Sequence, residues 1–244
     1  MSFRSLHRPG SPLILFNIWD AGSARAIAGE GAVALATGSA SVAGALGYAD
    51  GQTIPFDLLV TVVGRIRAVS DLPLSVDFEA GYADIGEGIA RNAARLEAAG
   101  AVGVNIEDGI PPESGIRPAA EQAARIAAIR AATGLFINAR TDLFLQNPAP
   151  AHAGLMAEAL TRARLYADHG ADGFFVPGLV EQALIEAICR DCPLPVNIMK
   201  SPAAPAVPAL AELGVARISF GPFPWREAMA GLAAAYRDQV VNGG

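Results

Sequence analysis

Three short apolar stretches end in charged residues: Leu-Ser-Val-Asp-Phe-Glu at 74–79, Val-Gly-Val-Asn-Ile-Glu-Asp at 102–108 and Leu-Phe-Ile-Asn-Ala-Arg-Thr-Asp at 135–142. Their parts at 74–78, 102–106 and 135–139 have the length and the β-branched or aromatic content of buried strands. The segments between them, Ile89–Ala99 and Ala119–Ala131, are rich in alanine and place apolar residues at helical spacing. Strands that alternate with helices in this way predict a parallel sheet covered by helices.

The same alternation extends outward until it covers the chain. Further strands are predicted at 13–18, 32–36, 173–176, 195–198 and 217–220, and further helices at 155–168, 180–189 and 206–212. Eight strand–helix units in 244 residues are the usual content of a (β/α)8 barrel. We therefore expect residues 1–244 to form one α/β domain, a TIM-type (β/α)8 barrel. An open, doubly wound sheet is the alternative, but residues 17–22 lack the glycine fingerprint that follows its first strand.

The composition argues against several classes of protein. Hydrophobic residues make up 52% of the chain, yet no apolar run approaches the ~20 residues that cross a bilayer. The net charge of −6 offers no concentrated basic surface for nucleic acid. The start of the sequence has no apolar segment typical of a secretory signal, so the expected location is the cytoplasm. We therefore expect neither a membrane nor a nucleic acid as partner.

Polar residues are predicted to collect at the carboxyl ends of the strands, where (β/α)8 barrels carry their chemistry. The strand interiors read as almost purely apolar, and polarity begins where each strand ends. The polar residues in question are Asp20, Thr37–Ser39, Asp77–Glu79, Glu107–Asp108, Arg140–Asp142, Lys200–Ser201 and Ser219. This register predicts one active site at the carboxyl-end mouth of the barrel.

Acidic residues at the ends of neighbouring strands form a candidate metal site. Asp77 and Glu79 are two residues apart and point to the same side, and Glu107 closes the next strand about 4.8 Å away. Three carboxylates this close would raise one another's pKa unless a cation lay among them. Because only oxygen ligands are available, Mg²⁺ or Mn²⁺ is expected. The alternative is that Asp77 and Glu107 cap helices, or pair with Arg140 in an ion network.

Other residues near the mouth are candidates for binding an anionic substrate. Arg140 ends the fifth strand, where its guanidinium could bind a carboxylate through two hydrogen bonds. Ser39, Ala40 and Ser41 follow the second strand, and their backbone N–H groups could cradle an anion, although turn geometry alone also explains such a run. His7 lies in polar terminal sequence and is expected to be exposed to solvent.

The motifs and their order resemble those of the isocitrate lyase and phosphoenolpyruvate mutase superfamily. The segments that carry the resemblance are Thr37–Ser41 with Leu46–Gly51, Ser75–Tyr82, Gly103–Gly109 and Ile137–Asp142. The resemblance implies a (β/α)8 barrel that binds Mg²⁺ or Mn²⁺. Asp77 would face the metal directly, and Asp50, Glu79 and Glu107 would hold its water molecules.

The resemblance also implies roles in substrate binding and catalysis. The residues implied to bind substrate are Ser39, Ala40, Ser41, Arg117, Asn138 and Arg140. The residues implied to take part in catalysis are Tyr48, Asp50, Glu107 and Arg140. Ser39 and the two amides after it would bind the substrate carboxylate, and Arg140 would bind a second oxygen function. Tyr48 could either hydrogen-bond an intermediate or pack at the mouth.

Members of the superfamily act on small 2-oxo or 2-hydroxy acids through a pyruvate-type enolate, which implies a carbon–carbon lyase or decarboxylase here. The loop 110–118 departs from the pattern, because it has neither the cysteine of the isocitrate and methylisocitrate lyases nor the lysine of the phosphorus-handling members. Arg117 could replace that lysine, or it could pair with Glu113. Two alternatives stay open: phosphonopyruvate-type phosphorus–carbon chemistry, and a barrel that binds 2-oxo acids without turnover.

The chain end, residues 223–244, and the alanine-rich outer helices are expected to make contacts between subunits. Members of the superfamily exchange their last helix between neighbouring barrels. The resemblance therefore implies a homodimer or a homotetramer, with the C-terminal helix exchanged between subunits.

Overall fold

The computed structural model describes residues 2–84, 86–111 and 114–241, and its strands form one parallel sheet. The strands are β1 (Leu13–Leu15), β2 (Asn17–Ile18), β3 (Leu35–Thr37), β4 (Leu74–Asp77), β5 (Gly103–Glu107), β6 (Phe136–Arg140), β7 (Gly173–Phe175), β8 (Val196–Met199) and β9 (Arg217–Ser219). Every one of the eight predicted strands is present, and the first is divided in two at Phe16.

The first strand closes the sheet into a barrel. β1 pairs with β9 through Leu13 and Arg217, and β2 pairs with β3 through Asn17 and Ala36. Because Phe16 alone separates β1 from β2, these two are halves of one strand, and the nine assigned strands occupy eight positions around a ring. The predicted TIM-type barrel is confirmed, and the open-sheet alternative is wrong.

Helices follow the strands around the outside. They are α1 (Ala21–Gly29), α2 (Ser39–Ala45), α3 (Phe56–Arg67), α4 (Gly86–Ala98), α5 (Ala119–Ala132), α6 (His152–Asp168), α7 (Gln182–Asp191), α8 (Val207–Glu212) and α9 (Phe223–Tyr236). Short helical turns lie at Phe3–Leu6, Ala149–Ala151 and Arg237–Val241. The five predicted helices correspond to α4 through α8. Within the described residues, no helix has the length and apolarity that a membrane crossing requires.

The sequence analysis missed α1, α2 and α3, and it expected the last helix, α9, only from the resemblance. α1 shows why. Its start is defined by a capping box, in which Asp20 accepts a hydrogen bond from the backbone of Ser23 and the Ser23 side chain accepts one from Asp20. This signal depends on the two capping residues and not on a long periodic run. α2 has seven residues, which is too short to show helical periodicity.

Two apolar clusters fill the fold. The larger one lies between the sheet and its helices, whereas the smaller one plugs the amino-terminal end of the barrel interior. The plug consists of Phe3, Leu13, Leu15, Ala34, Ala36 and Phe136. The strand interiors are less apolar than predicted, because buried polar side chains occupy the middle of the barrel above the plug. They are Ser75, Asn105, Asn138, Asn197 and Arg217.

His7 is buried against this amino-terminal plug, so the prediction that it is exposed is wrong. Its ring stacks on Phe136 with centroids 4.0 Å apart, and its Nδ1 lies 3.1 Å from the carbonyl oxygen of Phe3. Burial, with a smaller contribution from the charge of Arg217, lowers the pKa of His7 to about 3. The folded protein therefore holds His7 neutral at a pH where the unfolded chain protonates it.

His7 should make the fold sensitive to acid. Since the folded pKa lies below the unfolded value of 6.5, the unfolded state binds the extra proton between these values, and stability is lost as the pH falls below 6.5. At about pH 4 this corresponds to roughly 3 kcal/mol of unfolding free energy. The His7→Gln variant should lose stability more slowly than the wild type between pH 7 and pH 4 in urea unfolding. The control His169→Gln should lose unfolding free energy with falling pH as the wild type does. A His7→Gln variant whose unfolding free energy falls with pH as steeply as that of the wild type would contradict this assignment.

Candidate active site

Two adjoining cavities open at the carboxyl ends of the strands. The first has a volume of about 310 Å³ and the second about 230 Å³, and Ser39, Asp50 and Arg140 line both. Asp77 and Asn105 contribute to the first cavity. The second cavity contains Glu79, Glu107, Asp142 and Gln146. The predicted position of the site, at the mouth of the barrel, therefore coincides with the polar cavities of the structure.

Asp77 connects the end of β4 to the start of α2. One carboxylate oxygen, Oδ2, accepts a hydrogen bond from the backbone N–H of Ser39 at 3.1 Å, and the N–H of Asp77 donates to Thr37 Oγ1 at 2.9 Å. The other oxygen, Oδ1, is buried and has no hydrogen-bond partner among the residues that the structure describes. Burial raises the pKa of Asp77, and the Asp50 carboxylate adds to this, while Arg140 and the Ser39 amide oppose it.

Glu79 is held in a strained loop beside Asp77. It has a φ of +48°, and its two contacts Gln52 and Tyr82 also have positive φ, at +59° and +53°. Glu79 Oε2 accepts a hydrogen bond from the Gln52 N–H at 2.5 Å, and the Tyr82 hydroxyl donates to Oε1. Such conformations cost about 1–3 kcal/mol each and persist where surrounding contacts enforce them. Burial, reinforced by the nearby Asp77 charge, raises the pKa of Glu79 to about 7.

Arg140 lies between two acidic residues at the end of β6. Its Nη1 is 2.8 Å from Glu107 Oε2, and its Nε and Nη2 donate to the two carboxylate oxygens of Asp142 at 2.6 Å and 3.1 Å. Burial works to lower the pKa of Arg140, but Glu107, Asp142 and Asp77 outweigh it and raise that pKa above its usual value. Burial also raises the pKa of Glu107 to about 8, although Arg140 opposes the shift. The ion network that the sequence left open as an alternative is therefore present.

A second buried acid supports the loop that follows β5. Asp108 accepts hydrogen bonds from the Asp142 N–H at 2.9 Å and from the Tyr166 hydroxyl at 2.9 Å. Arg162 lies 3.1 Å from the Asp108 carboxylate and also donates to the carbonyl oxygen of Arg117. The beginning and the end of the loop 110–118 are thus tied to the barrel, since Arg117 N–H donates to the Asp108 carbonyl.

The structure brings most of the predicted site residues together. Ser39 and Ala40 line the first cavity beside Asp77, as the resemblance implies for a substrate carboxylate. Asp50 is exposed and lines both cavities. Glu79, Glu107 and Arg140 all line the second cavity.

Four of the predicted residues have side chains that do not line these cavities. Tyr48 is exposed, and Ser41 is fully buried within α2. Asn138 is buried below the mouth and donates to Asn105 Oδ1 at 2.9 Å. Arg117 pairs with Glu121 at 2.9 Å. Its predicted alternative partner, Glu113, lies outside the described residues.

Several cavity residues were not selected from the sequence, among them Asn105, Gln146 and Arg226. Asn105 lies in the middle of β5, Gln146 follows β6, and Arg226 projects from the first turn of α9. Asn105 carried a usable signal, because its position two residues before Glu107 places both side chains on the same side of β5. For Arg226 there was no such signal, because its helix packs across the mouth only in the tertiary structure.

The acidic residues suit a hard divalent cation that is held partly through water. Within residues 2–84, 86–111 and 114–241, no group of three His, Cys, Asp or Glu side chains is close enough to hold an ion directly. The direct cluster of three carboxylates predicted from the sequence is therefore not formed. The unpaired Oδ1 of Asp77 is available as one direct ligand, and Asp50, Glu79 and Glu107 line the surrounding space. This donor set fits Mg²⁺, which usually retains several waters.

Magnesium should stabilise the protein more at high pH than at low pH. A cation bound beside Asp77 would compete with protons for Glu79 and Glu107, whose pKa values burial raises to about 7 and about 8. We expect millimolar Mg²⁺ to raise the unfolding temperature by a few degrees at about pH 8.5 and by clearly less at about pH 6. Thermal unfolding in Mg²⁺ against EDTA measures this difference, and an equal shift at both pH values would count against the acidic ligands.

The fold and the site together define a class of protein. A closed parallel barrel whose carboxyl-end mouth holds buried acids, an arginine and two polar cavities is a (β/α)8-barrel enzyme. A family model described as phosphoenolpyruvate phosphomutase matches residues 3–240. The chain belongs to this family and is an enzyme of the phosphoenolpyruvate mutase and isocitrate lyase superfamily.

Individual relatives are similar to this chain to different degrees. A Burkholderia cenocepacia J2315 protein provisionally assigned as a phosphonomutase is 51% identical, with a TM-score of 0.92 over 96% of this chain and 97% of that one. The 2-methylisocitrate lyase of Salmonella typhimurium is 32% identical over 77% of this chain and 65% of the lyase. A phosphonopyruvate hydrolase solved with oxalate and Mg²⁺ has a TM-score of 0.86, covering 100% of this chain and 89% of that one. Its 19% identity shows the fold alone.

Proposed function

We propose that this protein is a Mg²⁺-dependent lyase that cleaves or decarboxylates a small 2-oxo or 2-hydroxy acid through a pyruvate-type enolate. The observation that carries the proposal is the unpaired Asp77 oxygen, which is buried at a cavity lined also by the cation Arg140. A carboxylate oxygen without a hydrogen-bond partner in this position has the chemistry of a metal ligand. The relationship to 2-methylisocitrate lyase supports the carbon–carbon reaction.

The metal would be held by Asp77 directly and by Asp50, Glu79 and Glu107 through water. When bound, Mg²⁺ supplies electrostatic stabilisation for the negative charge that develops on an enolate oxygen. The cavity of about 310 Å³ has room for a small acid and few additional atoms. This size supports a compact substrate over a large one.

The residues of the chain would bind the two ends of the substrate separately. Ala40 and Ser41 lie in the first turn of α2, and their backbone N–H groups suit the carboxylate of the 2-oxo acid, whereas the Ser39 N–H already donates to Asp77. Arg140 already balances Glu107 and Asp142, so it is less available for a second carboxylate than the sequence suggested. Arg226, which also lines the first cavity, is the better candidate for that group.

A proton donor is needed when the enolate leaves. Glu107 lines the second cavity, and burial raises its pKa, which favours the protonated form that a proton donor needs. We therefore assign to Glu107 the proton transfer that a loop cysteine performs in the resembling lyases. Tyr48 is exposed and outside both cavities, which makes it the weaker candidate.

Phosphorus–carbon chemistry on phosphonopyruvate is the second candidate function. It is favoured by the 51% identity to a protein provisionally assigned as a phosphonomutase. The two candidates share the same binding groups for the 2-oxo acid and differ in the group that leaves.

A substrate screen with Mg²⁺ separates these functions. The wild type would be offered oxaloacetate, its methyl and hydroxy relatives, isocitrate, methylisocitrate and phosphonopyruvate, and release of pyruvate, glyoxylate or phosphate would be followed. We expect turnover of an oxaloacetate-like acid and calorimetric binding of oxalate, which mimics an enolate. Turnover of phosphonopyruvate alone would favour the second function, and binding of oxalate without any turnover would identify a 2-oxo acid binding protein.

We also propose that α9 mediates assembly into a homodimer or homotetramer. The helix is anchored at its start, where a Cβ at Gly44 would lie 2.7 Å from the Trp225 ring. Beyond this anchor, Leu232 and Tyr236 are 67% and 61% exposed. Apolar side chains exposed along one helix are typical of an interface between subunits.

The Leu232→Glu variant should dissociate the assembly. A charge buried in the subunit contact would weaken it by several kcal/mol, so light scattering should report a smaller mass than for the wild type. Val102→Glu, which places the same charge at another exposed apolar residue, serves as the matched control and should leave the mass unchanged. A monomeric wild type would refute the proposed assembly.

A further inference from the structure

The barrel interior contains a buried arginine that has no acidic partner within hydrogen-bond distance in the described chain. Arg217 begins β9, and its Nη2 donates to Asn105 Oδ1 at 3.1 Å and to Ser75 Oγ at 3.4 Å. Its Nε and Nη1 are buried and make no hydrogen bond to the described residues. Burial lowers the pKa of Arg217 to about 9. An arginine retained at such a cost needs an explanation beyond packing.

The contacts of Arg217 determine which way the Asn105 amide points. Asn105 Oδ1 accepts from Arg217 Nη2 and also from Asn138 Nδ2 at 2.9 Å. A guanidinium can only donate, so the atom that faces it must be the amide oxygen. The Asn138 amide is then fixed as well, because the atom that it presents to this oxygen must be its nitrogen.

This orientation leaves the Asn105 amino group facing the cavity. Nδ2 makes no hydrogen bond within the described part of the chain, and Asn105 lines the first cavity next to Asp77, its register partner on β4. Phe175 and Met199 form apolar walls of the same cavity. A free amide donor at the inner end of a cavity is suited to a ligand oxygen that is a pure acceptor.

We propose that Asn105 binds substrate by donating a hydrogen bond from Nδ2 to an oxygen of the 2-oxo acid, and that Arg217 is a positioning residue that fixes the Asn105 amide. This inference rests on the proposed function, because it takes the cavity to be the 2-oxo acid site. The Asn105 amide does not titrate, so it offers the same donor at any pH at which the neighbouring acids change charge.

Two substitutions of Asn105 separate the donor from its structural contacts. Asn105→Asp keeps an oxygen that can accept from both Arg217 and Asn138, but it has no N–H to offer to the cavity. Asn105→Ala removes the donor without adding a charge. With Mg²⁺ present, both should weaken oxalate binding in calorimetry by roughly 10- to 100-fold, the value of a hydrogen bond to a charged acceptor.

A third buried asparagine provides the matched control. Asn197 lies on β8, and its amide exchanges hydrogen bonds with Ser219 at 3.1 Å and 3.2 Å rather than facing the cavity. Asn197→Ala removes the same group from the same interior layer. The oxalate affinity of the Asn197→Ala variant should stay within about threefold of that of the wild type, because this variant loses only structural hydrogen bonds.

The positioning role of Arg217 has a test of its own. Arg217→Met should lower oxalate affinity by about tenfold, because the Asn105 amide can then rotate. The unfolding temperature of this variant should equal or exceed that of the wild type, since a buried unpaired charge is removed. Arg217→Lys, which keeps a donor, should restore part of the affinity. Without any ligand, Asn105→Asp should raise the unfolding temperature by giving Arg217 a counter-charge.

The outcomes are distinguishable from failure of the proposed function. A wild type that does not bind oxalate in Mg²⁺ refutes the 2-oxo acid site, and this inference with it. A wild type that binds oxalate while Asn105→Asp and Asn105→Ala bind it equally well overturns the Asn105 contact and leaves the proposed function standing. A lower unfolding temperature and unchanged affinity for Arg217→Met would reduce Arg217 to a structural residue.

Discussion

Replacing Asp77 by alanine is expected to abolish Mg²⁺-dependent oxalate binding. It should also lower turnover of the substrate found by screening by at least about 10³-fold, because stabilisation of an enolate by a metal is worth several kcal/mol. The fold should survive this change. Burial raises the pKa of Asp77, which means that the ionised carboxylate is held at a cost when no cation is bound. In EDTA, the Asp77→Ala variant should therefore unfold at the same temperature as the wild type or at a higher one.

A matched control for this variant lies on the same strand–loop unit. Asp71 is exposed just before β4, at the opposite end of the barrel, and Asp71→Ala should leave both oxalate binding and Mg²⁺ stabilisation unchanged. Asp77→Asn keeps an oxygen for the Ser39 amide and should lose the metal as Asp77→Ala does. If the Asp77 variants retained Mg²⁺-dependent binding, Asp77 would not be the direct ligand.

Replacing Arg140 by methionine is expected to destabilise the protein strongly as well as to weaken substrate binding. The guanidinium lies 2.8 Å from Glu107 and binds both oxygens of Asp142, and all three side chains are largely buried. Removing one member of a buried ion network leaves uncompensated charges and typically costs about 3–5 kcal/mol. Urea unfolding at neutral pH should show a loss of this size.

The loss caused by Arg140→Met should depend on pH in a defined direction. The pKa of Glu107 is raised to about 8 even beside Arg140, so without the arginine it should lie higher still. A carboxyl whose folded pKa exceeds its unfolded value keeps its proton in the folded state, and stability is lost as the pH rises between these values. The loss of unfolding free energy in Arg140→Met relative to the wild type should therefore be larger at about pH 8 than at about pH 5.

Arg140→Lys provides the comparison for these measurements. Lysine keeps the charge but cannot reproduce the two-pronged contact with Asp142, so an intermediate loss of stability is expected. An Arg140→Met variant as stable as the wild type at pH 8 would show that the acids of this network are not ionised.

The positions of the strands were predictable because all but one of the strand ends change from apolar to polar residues, the exception being Pro177 and Gly178 after β7. At β4, β5 and β6 the predicted and observed elements differ by at most two residues at either end. The periodicity of the sequence did not reveal α2 or α9, and α9 was expected only from the resemblance. α2 is too short for periodicity, and α9 has little buried surface of its own, with Pro224 as the residue buried in that helix.

The gathering of the candidate acids at one mouth was also predictable, because the carboxyl ends of parallel strands meet there. The prediction that Asp77 and Glu79 share one face of a strand was wrong, because β4 ends at Asp77 and Glu79 lies beyond it with a φ of +48°. The pairing of Arg140 was not predictable, because the same guanidinium could have turned toward a substrate or toward Glu107 and Asp142. Which of these occurs depends on distances between side chains on adjacent strands. The register of β5 on β6, which pairs Glu107 with Arg140, determines it.

The sequence by itself determined the barrel and the rim at which its acids gather, because both follow from periodicity along the chain and from the direction in which parallel strands run. Only the tertiary structure decided how those acids are compensated, which donors face the cavity and that His7 is buried. These properties depend on burial and on contacts between residues far apart in sequence, such as Arg217 with Asn105, and one-dimensional spacing carries no information about either.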